Sequence, residues 1–442
     1  MIQVAHELPY GKTRRRLGLA ADSLVPREAA PVDDEVRVVS DALRNPIGTP
    51  PLGEIVRAGE RVAIVVNDTT RLTRTDLILP PVIDALNAAG IPDGDIFIVF
   101  ALGIHKRQTD EERRLILGDD IYRRIRSFDH ISTDEANLIE IGTTRFGNRV
   151  QINRAVWEAD RIILTGEIIY HLIAGYSGGR KSLVPGVAGF RTITFNHRMI
   201  FDPNCRAGKL DGNPAHEDLL EACRMVGPDF LVNAVLSPEG KLIRVVAGHY
   251  DLAHREGCRT VDAMLRVPIE EPYDVVVASA GGFPLDIDLR QAHKGMENAC
   301  AALRPGGSLL FYAECPNGAG IGTFEEYIAR YADDHEMRAA LGHEFVVGGH
   351  KAYWVARLGR LYNVQLVSSL DPEFVRRCHF TPVAPADHSS ALLKLLDDAG
   401  PKARVAVIPY SGFTLPAVED CQSRNREGAV AQATGEDAAT AP

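Results

Sequence analysis

Arg61-Val-Ala-Ile-Val-Val66 runs straight into Asn67-Asp68, and Leu77 to Ala88 follows with helical spacing. A short run that is apolar at every position has no polar face to offer water, so it reads as a strand covered on both sides. Outward from it the rhythm repeats. Asp95-Ile-Phe-Ile-Val-Phe100 ends at Ala101-Leu-Gly103, with Asp110 to Leu117 as the next helix, and Arg161-Ile-Ile-Leu-Thr165 ends just before a glycine-rich loop. Alternation of this kind builds mostly parallel sheets flanked by helices, which is the α/β class.

The pattern restarts after Pro268. Tyr273-Asp-Val-Val-Val-Ala278 reads as a buried strand, Leu289 to Leu303 as a helix, and Arg304-Pro-Gly-Gly307 as the turn before a strand over Ser308 to Tyr312. Arg404-Val-Ala-Val-Ile408 reads as a late strand. The spacing predicts two domains, residues 1–268 and 269–418, joined through the acidic, proline-flanked Val267–Glu271. Residues 419–442 are polar and alanine-rich, with little to bury, and read as a disordered tail.

Composition narrows the function. The chain has 442 residues, of which 45% are hydrophobic and 24% charged, as in ordinary globular enzymes. A formal charge of −10 supplies no broad cationic face and argues against a nucleic-acid partner. The seven cysteines are dispersed, with no C-x-x-C pair, and the N-terminus lacks a secretory apolar core, so the expectation is reduced thiols in the cytoplasm. No apolar run reaches the length of a membrane span, so no membrane partner is expected.

The chemistry-bearing residues fall at strand ends, where open α/β sheets place their ligand crevices. Asp68 and Arg71 follow one strand and His105 the next. After the third comes His171-Leu-Ile-Ala-Gly-Tyr-Ser-Gly-Gly-Arg-Lys181, then Pro185-Gly-Val-Ala-Gly189 and His197. Ser177, Gly178 and Gly179 allow close approach of backbone N–H groups to a phosphate. Lys181 adds a cation or a nucleophilic amine, and the histidines add proton shuttles or metal ligands. Taken alone, each has a plainer reading: Asp68 and Arg71 as a surface pair, His105 as an ordinary loop residue, the glycines as a turn. A Walker A loop is a poor match, because Arg180 stands where its second glycine belongs. In the second domain Gln291 and Lys294 share a helix face, suited to a carboxylate or carbonyl, or simply to solvent. The loops are expected to converge on a cleft between the domains.

Taken jointly, Asp68/Arg71, His105, His171, Ser177-Gly-Gly-Arg-Lys181, His197 and Gln291/Lys294 resemble the lactate racemase family of nickel-pincer nucleotide enzymes, over residues 10 to 415. The resemblance implies a nickel-bearing cofactor, pyridinium-3-thioamide-5-thiocarboxylic acid mononucleotide, tethered covalently to Lys181. His197 would be the protein ligand to Ni, with Asp68 and the Ser177-Gly178-Gly179 turn beside the nucleotide. It further implies racemisation or epimerisation of a 2-hydroxy acid by hydride transfer through a 2-keto acid. His105 and His171 would alternate as base and acid, while Arg71, Gln291 and Lys294 bind substrate. Cofactor-synthesis enzymes would be the partners in maturation. Arg290 departs from the family, whose members often carry tyrosine there; an added cation fits malate or 2-hydroxyglutarate as well as lactate. Trp354 corresponds to a pocket-lining aromatic. Two other readings use the same glycine loop: a nucleotide- or phosphate-binding enzyme, and a non-catalytic cofactor-binding sensor.

Overall fold

The computed structural model describes residues 4–69, 71, 73–320 and 322–418, so the tail predicted to be disordered lies outside the described residues. Arg27–Met264 form one compact unit; the described residues up to Pro26 belong with those from Leu265 onward in a second. The division expected after residue 268 falls after Met264, and the described residues up to Pro26, expected in the first domain, belong to the second unit. The opening residues fold as a hairpin, β1 (Val4–Tyr10) with β2 (Thr13–Leu19), followed by the two-residue β3 (Asp22–Ser23).

In the unit Arg27–Met264 the strands are β4 (Val62–Val66), β5 (Ile96–Phe100), β6 (Arg126–Asp129), a separate antiparallel hairpin of β7 (Leu138–Thr143) and β8 (Arg149–Asn153), and β9 (Arg161–Glu167). There follow the small pair β10 (Tyr170–His171) and β11 (Gly175–Tyr176), then β12 (Phe230–Leu236) and β13 (Leu242–Gly248). The main sheet has the order β13-β12-β9-β4-β5-β6 and is parallel except at β13. Every residue of β4 and β5 is buried, as their unbroken apolar runs require. The helix Thr75–Ala88 lays Ile78, Leu79, Val82, Ile83 and Leu86 on Val62, Ile64, Val66, Ile98 and Phe100. Each side chain so buried contributes about 1.5–3 kcal/mol. Strand order reverses between β4 and β9, so the carboxyl ends of these two neighbours flank the crevice where such sheets take ligands.

In the second unit β14 (Arg266–Ile269) runs through the segment expected to be a linker. The sheet is built from β15 (Tyr273–Ser279), β16 (Leu303–Tyr312), β17 (Asn363–Val367), β18 (Thr381–Val383) and β19 (Val405–Ile408), while β20 (Leu415–Val418) pairs with β14. Its order is β18-β17-β16-β15-β19-β3, parallel throughout. The Arg304-Pro-Gly-Gly307 stretch expected to turn lies inside β16, where the register with β15 shifts. Leu8, Tyr10, Leu17 and Leu19 of the N-terminal hairpin join Val275, Val277, Leu310 and Tyr312 in one core. The hairpin tip also fills the loop after β15: Gly11 N–H donates to Asp286 Oδ2 at 2.7 Å, and Phe283 N–H donates to Gly11 O at 2.9 Å. At this sheet's own order reversal the loop after β15 is thus packed with protein.

Candidate active site at the ends of β4 and β9

Asp68 follows β4 and is buried, with only 3% of its side chain exposed, and its Oδ2 lies 2.5 Å from Nδ1 of His105, whose ring is 46% exposed. His105 stands in a tight turn after β5, its N–H donating to Leu102 O at 2.8 Å. Gly103 there has φ +54°, and a Cβ would sit 3.2 Å from Pro185 O, so this position requires glycine. A buried carboxylate on Nδ1 sets the imidazole's tautomer and leaves Nε2 to exchange protons. The resemblance implies Asp68 beside the nucleotide; in the structure its Oδ2 also meets His105.

The loop after β9 carries His171 on β10. Its Nδ1 accepts the N–H groups of Ile173 and Ala174, each at 3.2 Å, so the neutral ring holds its proton on Nε2. That Nε2 lies 3.1 Å from Lys181 Nζ. Burial, reinforced by the charges of Arg71 and Arg180, drives the Lys181 pKa well below the usual lysine value. These surroundings favour the neutral form of Lys181, in which the amine can accept from His171 Nε2 and act as a nucleophile.

His197 ends the helix Phe190–His197, and its Nδ1 donates to Ile193 O at 2.9 Å. Burial first, then the charge of Lys181, pulls its pKa down to about 4, with His105 adding to the effect. The ring is neutral at physiological pH and keeps its lone pair on Nε2, the form that ligates metals. Among the described residues no three His, Cys, Asp or Glu side chains gather as a metal site. A metal on His197 would take its remaining donors from a bound group.

Glu167, the last residue of β9, escaped the sequence reading, which ended that strand at Thr165. Burial pushes its carboxyl up to about 7, against the opposing charge of Arg71. An acid closing an apolar strand beside the histidine loop was the available signal.

In the Ser177-Gly178-Gly179 turn, several polar groups bond to the protein itself. Ser177 Oγ donates to Glu167 O at 2.7 Å and accepts the Ile169 N–H at 2.9 Å, while Gly179 N–H donates to Asn233 Oδ1 at 2.8 Å. These groups knit the loop to β9 and β12. Gly178 has φ +70°, and a Cβ would lie 2.7 Å from Asn233 Oδ1, so closeness is what demands glycine. Arg180, the residue that breaks the Walker pattern, is 1% exposed. Its Nη2 donates to Ala174 O at 2.7 Å and Tyr176 O at 3.0 Å, and its Nη1 lies 3.0 Å from His254 Nε2. It is a strut inside the loop.

Asp68, Arg71, His105, Glu167, His171, Lys181 and His197 thus form one linked cluster, each in contact with or feeling the charge of another. In the second unit the helix Leu289–Cys300 is capped by Asp288, whose Oδ1 accepts the Gln291 N–H at 2.7 Å. Lys294 Nζ donates to Gln291 Oε1 at 2.8 Å, so the two share a face as their spacing predicts. Arg290 leans on Asp288, Nη2 to Oδ2 at 3.6 Å, and against Gly320, where a Cβ would meet its own Cβ at 2.9 Å. Trp354 is buried between His293, stacked at 5.9 Å, and His350, edge-on at 5.6 Å.

Residues 10–208 match the lactate racemase N-terminal domain family, and residues 269–414 match the lactate racemase C-terminal domain family. The lactate racemase of Lactiplantibacillus plantarum is 33% identical over 382 residues, covering 85% of this chain and 89% of that protein. That of Thermoanaerobacterium thermosaccharolyticum is 32% identical over 339 residues, covering 75% and 79%. The structure of the lactate racemase apoprotein from T. thermosaccharolyticum aligns with a TM-score of 0.85 at 29% identity, covering 94% of this chain and 100% of that one. A Thermotoga maritima protein shares the fold at a TM-score of 0.64 and 17% identity, covering 89% of this chain and 100% of that one. With both domain families matched in order and a third of the residues shared along most of its length, the chain belongs to the lactate racemase family and is, with it, an isomerase.

Proposed function

We propose that this chain racemises a short 2-hydroxy acid, lactate or a near relative, with a nickel-pincer nucleotide held on Lys181 and His197. The observation that carries the reading is the Lys181 amine set 3.1 Å from His171 Nε2, in surroundings that lower its pKa well below the usual lysine value. An amine held without its proton is ready for covalent attachment, and a surface lysine is not. The donor set fits the group as well: Lys181 supplies the tether and neutral His197 supplies one nitrogen ligand. When bound, the cofactor supplies a hydride acceptor, which avoids forming a carbanion beside a carboxylate.

The remaining work falls to protein side chains. His105 and His171 alternate as base and acid at the substrate hydroxyl: in this state His105, oriented through Nδ1 by Asp68, offers Nε2 to take the proton, and His171, oriented through Nδ1 by two backbone N–H groups, carries one on Nε2 to give. Arg71 binds the substrate's carboxylate, fixing the orientation that transfer needs. Arg290 is already turned toward Asp288, which favours a monocarboxylate over malate or 2-hydroxyglutarate. The six described cysteines are all free thiols, in keeping with a cytoplasmic enzyme matured by cofactor-synthesis enzymes.

Protein made alongside those synthesis enzymes tests the reading by intact mass, nickel content and a chiral screen of 2-hydroxy acids. Lys181→Ala should carry no adduct, and His197→Ala should lose nickel. Wild-type adduct mass and nickel in both variants would defeat the assignment. Loaded protein that leaves every hydroxy acid's stereochemistry untouched would favour the sensor reading.

A further inference from the structure

His171 stands on a hairpin with only two strand residues on each side, Tyr170 opposite Tyr176 and His171 opposite Gly175. So short a ladder does not hold its own orientation, since even longer isolated hairpins are marginal in water. The Ile173 and Ala174 N–H groups orient the ring within the loop, and something else must hold the hairpin itself. Tyr170 and Tyr176 both donate their phenol hydroxyls to one oxygen, Oδ1 of Asp262, each at 2.7 Å, and their rings lie 5.4 Å apart. Asp262 sits near the end of the helix Leu252–Leu265. Two hydroxyls on one carboxylate oxygen, at charge-assisted length, make a strong clamp.

We propose that Asp262 is a positioning residue for His171, gripping both tyrosines of the hairpin and so setting the direction in which the imidazole faces. Neighbours along a strand point to opposite faces. Fixing Tyr170 on one face therefore aims His171 to the other, where its Nε2 meets Lys181 Nζ at 3.1 Å. Arg180 grips the same hairpin differently. It holds the carbonyls of Ala174 and Tyr176, which fixes the backbone's place, while the tyrosine side chains fix its rotation. Tyr176 OH also lies 3.3 Å from Gly208 O, but a hydroxyl has one proton and the shorter bond to Asp262 takes it. Tyr170 and Asp262 are 92 residues apart, and sequence reading had no means of pairing them.

The catalytic part of this inference rests on His171 acting as acid and base, so the test reads the ring directly as well as turnover. Nitrogen-15 histidine spectra of the full-length apoprotein, with His171 assigned by its loss in His171→Gln, should show altered tautomer balance and titration of that ring in Asp262→Asn. Tyr170→Phe, a gentler change, should show the same in lesser degree. In the loaded enzyme each should lower kcat about tenfold, the effect of one lost hydrogen bond to a charged group, with KM within about twofold. In a His171→Gln background, Asp262→Asn should slow residual turnover no further. Unchanged His171 spectra in both variants would overturn the clamp, as would an equal loss with and without His171. Full turnover by His171→Gln would instead overturn the catalytic assignment, while the spectra still decide the clamp.

Discussion

Replacing Arg180 with methionine removes the strut inside the His171–Lys181 loop while keeping a flexible chain of similar reach. Three contacts go: Ala174 O at 2.7 Å, Tyr176 O at 3.0 Å and, more weakly, Gly178 O at 3.5 Å. Hydrogen bonds from a charged donor contribute about 1.5–3 kcal/mol each, or roughly 4–7 kcal/mol for two full bonds and a weak one. Against that stands the cost of the buried charge. Burial pulls the Arg180 pKa from 12.5 to about 10, a penalty of roughly 3 kcal/mol that methionine would relieve. The bonds win, and the expected net loss is roughly 2 kcal/mol. For a unit of this size that lowers the melting temperature by about 4–8 °C. The chain's two tryptophans fall one in each unit, so Trp157 fluorescence in a Trp354→Phe background reports the unit that holds the loop. Arg180→Lys should recover little, since an ammonium cannot reproduce a planar fork reaching two carbonyls. A melting shift below about 2 °C, or a gain in stability, would mean that desolvation outweighs the bonds and would refute the strut.

Two further expectations concern pH. His130 is buried, with Nε2 2.9 Å from Ala188 O and Nδ1 3.2 Å from Asn153 Nδ2, and burial holds its pKa down from 6.5 to about 4. Between those values the unfolded chain binds a proton that the folded one does not, so stability falls as pH drops from 6.5 toward 4, by up to roughly 3 kcal/mol. His130→Gln should therefore narrow the difference in urea midpoint between pH 7 and pH 4, and an unchanged difference would refute the account. Glu167 runs the other way. Its folded pKa near 7 exceeds the ordinary 4.5, so its favourable contribution is complete at acid pH and lost as pH rises through 7. Glu167→Gln should flatten that decline, read as melting temperatures at pH 5 and pH 8; an equally steep decline in the variant would show that the carboxyl is not held protonated.

The strands and helices were legible because their causes are local. Five consecutive buried positions in β4 and in β5 can only be apolar, and residues that follow such strands come to the crevice by the geometry of the sheet itself. His105, His171, Lys181 and His197 could be named in that way, and the Gln291–Lys294 pair followed from helical spacing. The partners of these residues could not be named. Asp68 meets His105 across 37 positions, and Gly179 meets Asn233 across 54. Whether a serine donates to a ligand or to its own loop depends on which carbonyl the fold brings near, as Ser177 shows with Glu167 O.

Composition and period decide which segments must be covered and which residue types lie at their ends, since burial of apolar surface acts on each segment separately. Folding in space decided the rest: that the N-terminal hairpin belongs with the C-terminal sheet, that Arg180 is interior and the Lys181 pKa is driven down, and that one aspartate holds two tyrosines. Desolvation and hydrogen bonding depend on what stands within a few ångströms, and chain order does not record that distance.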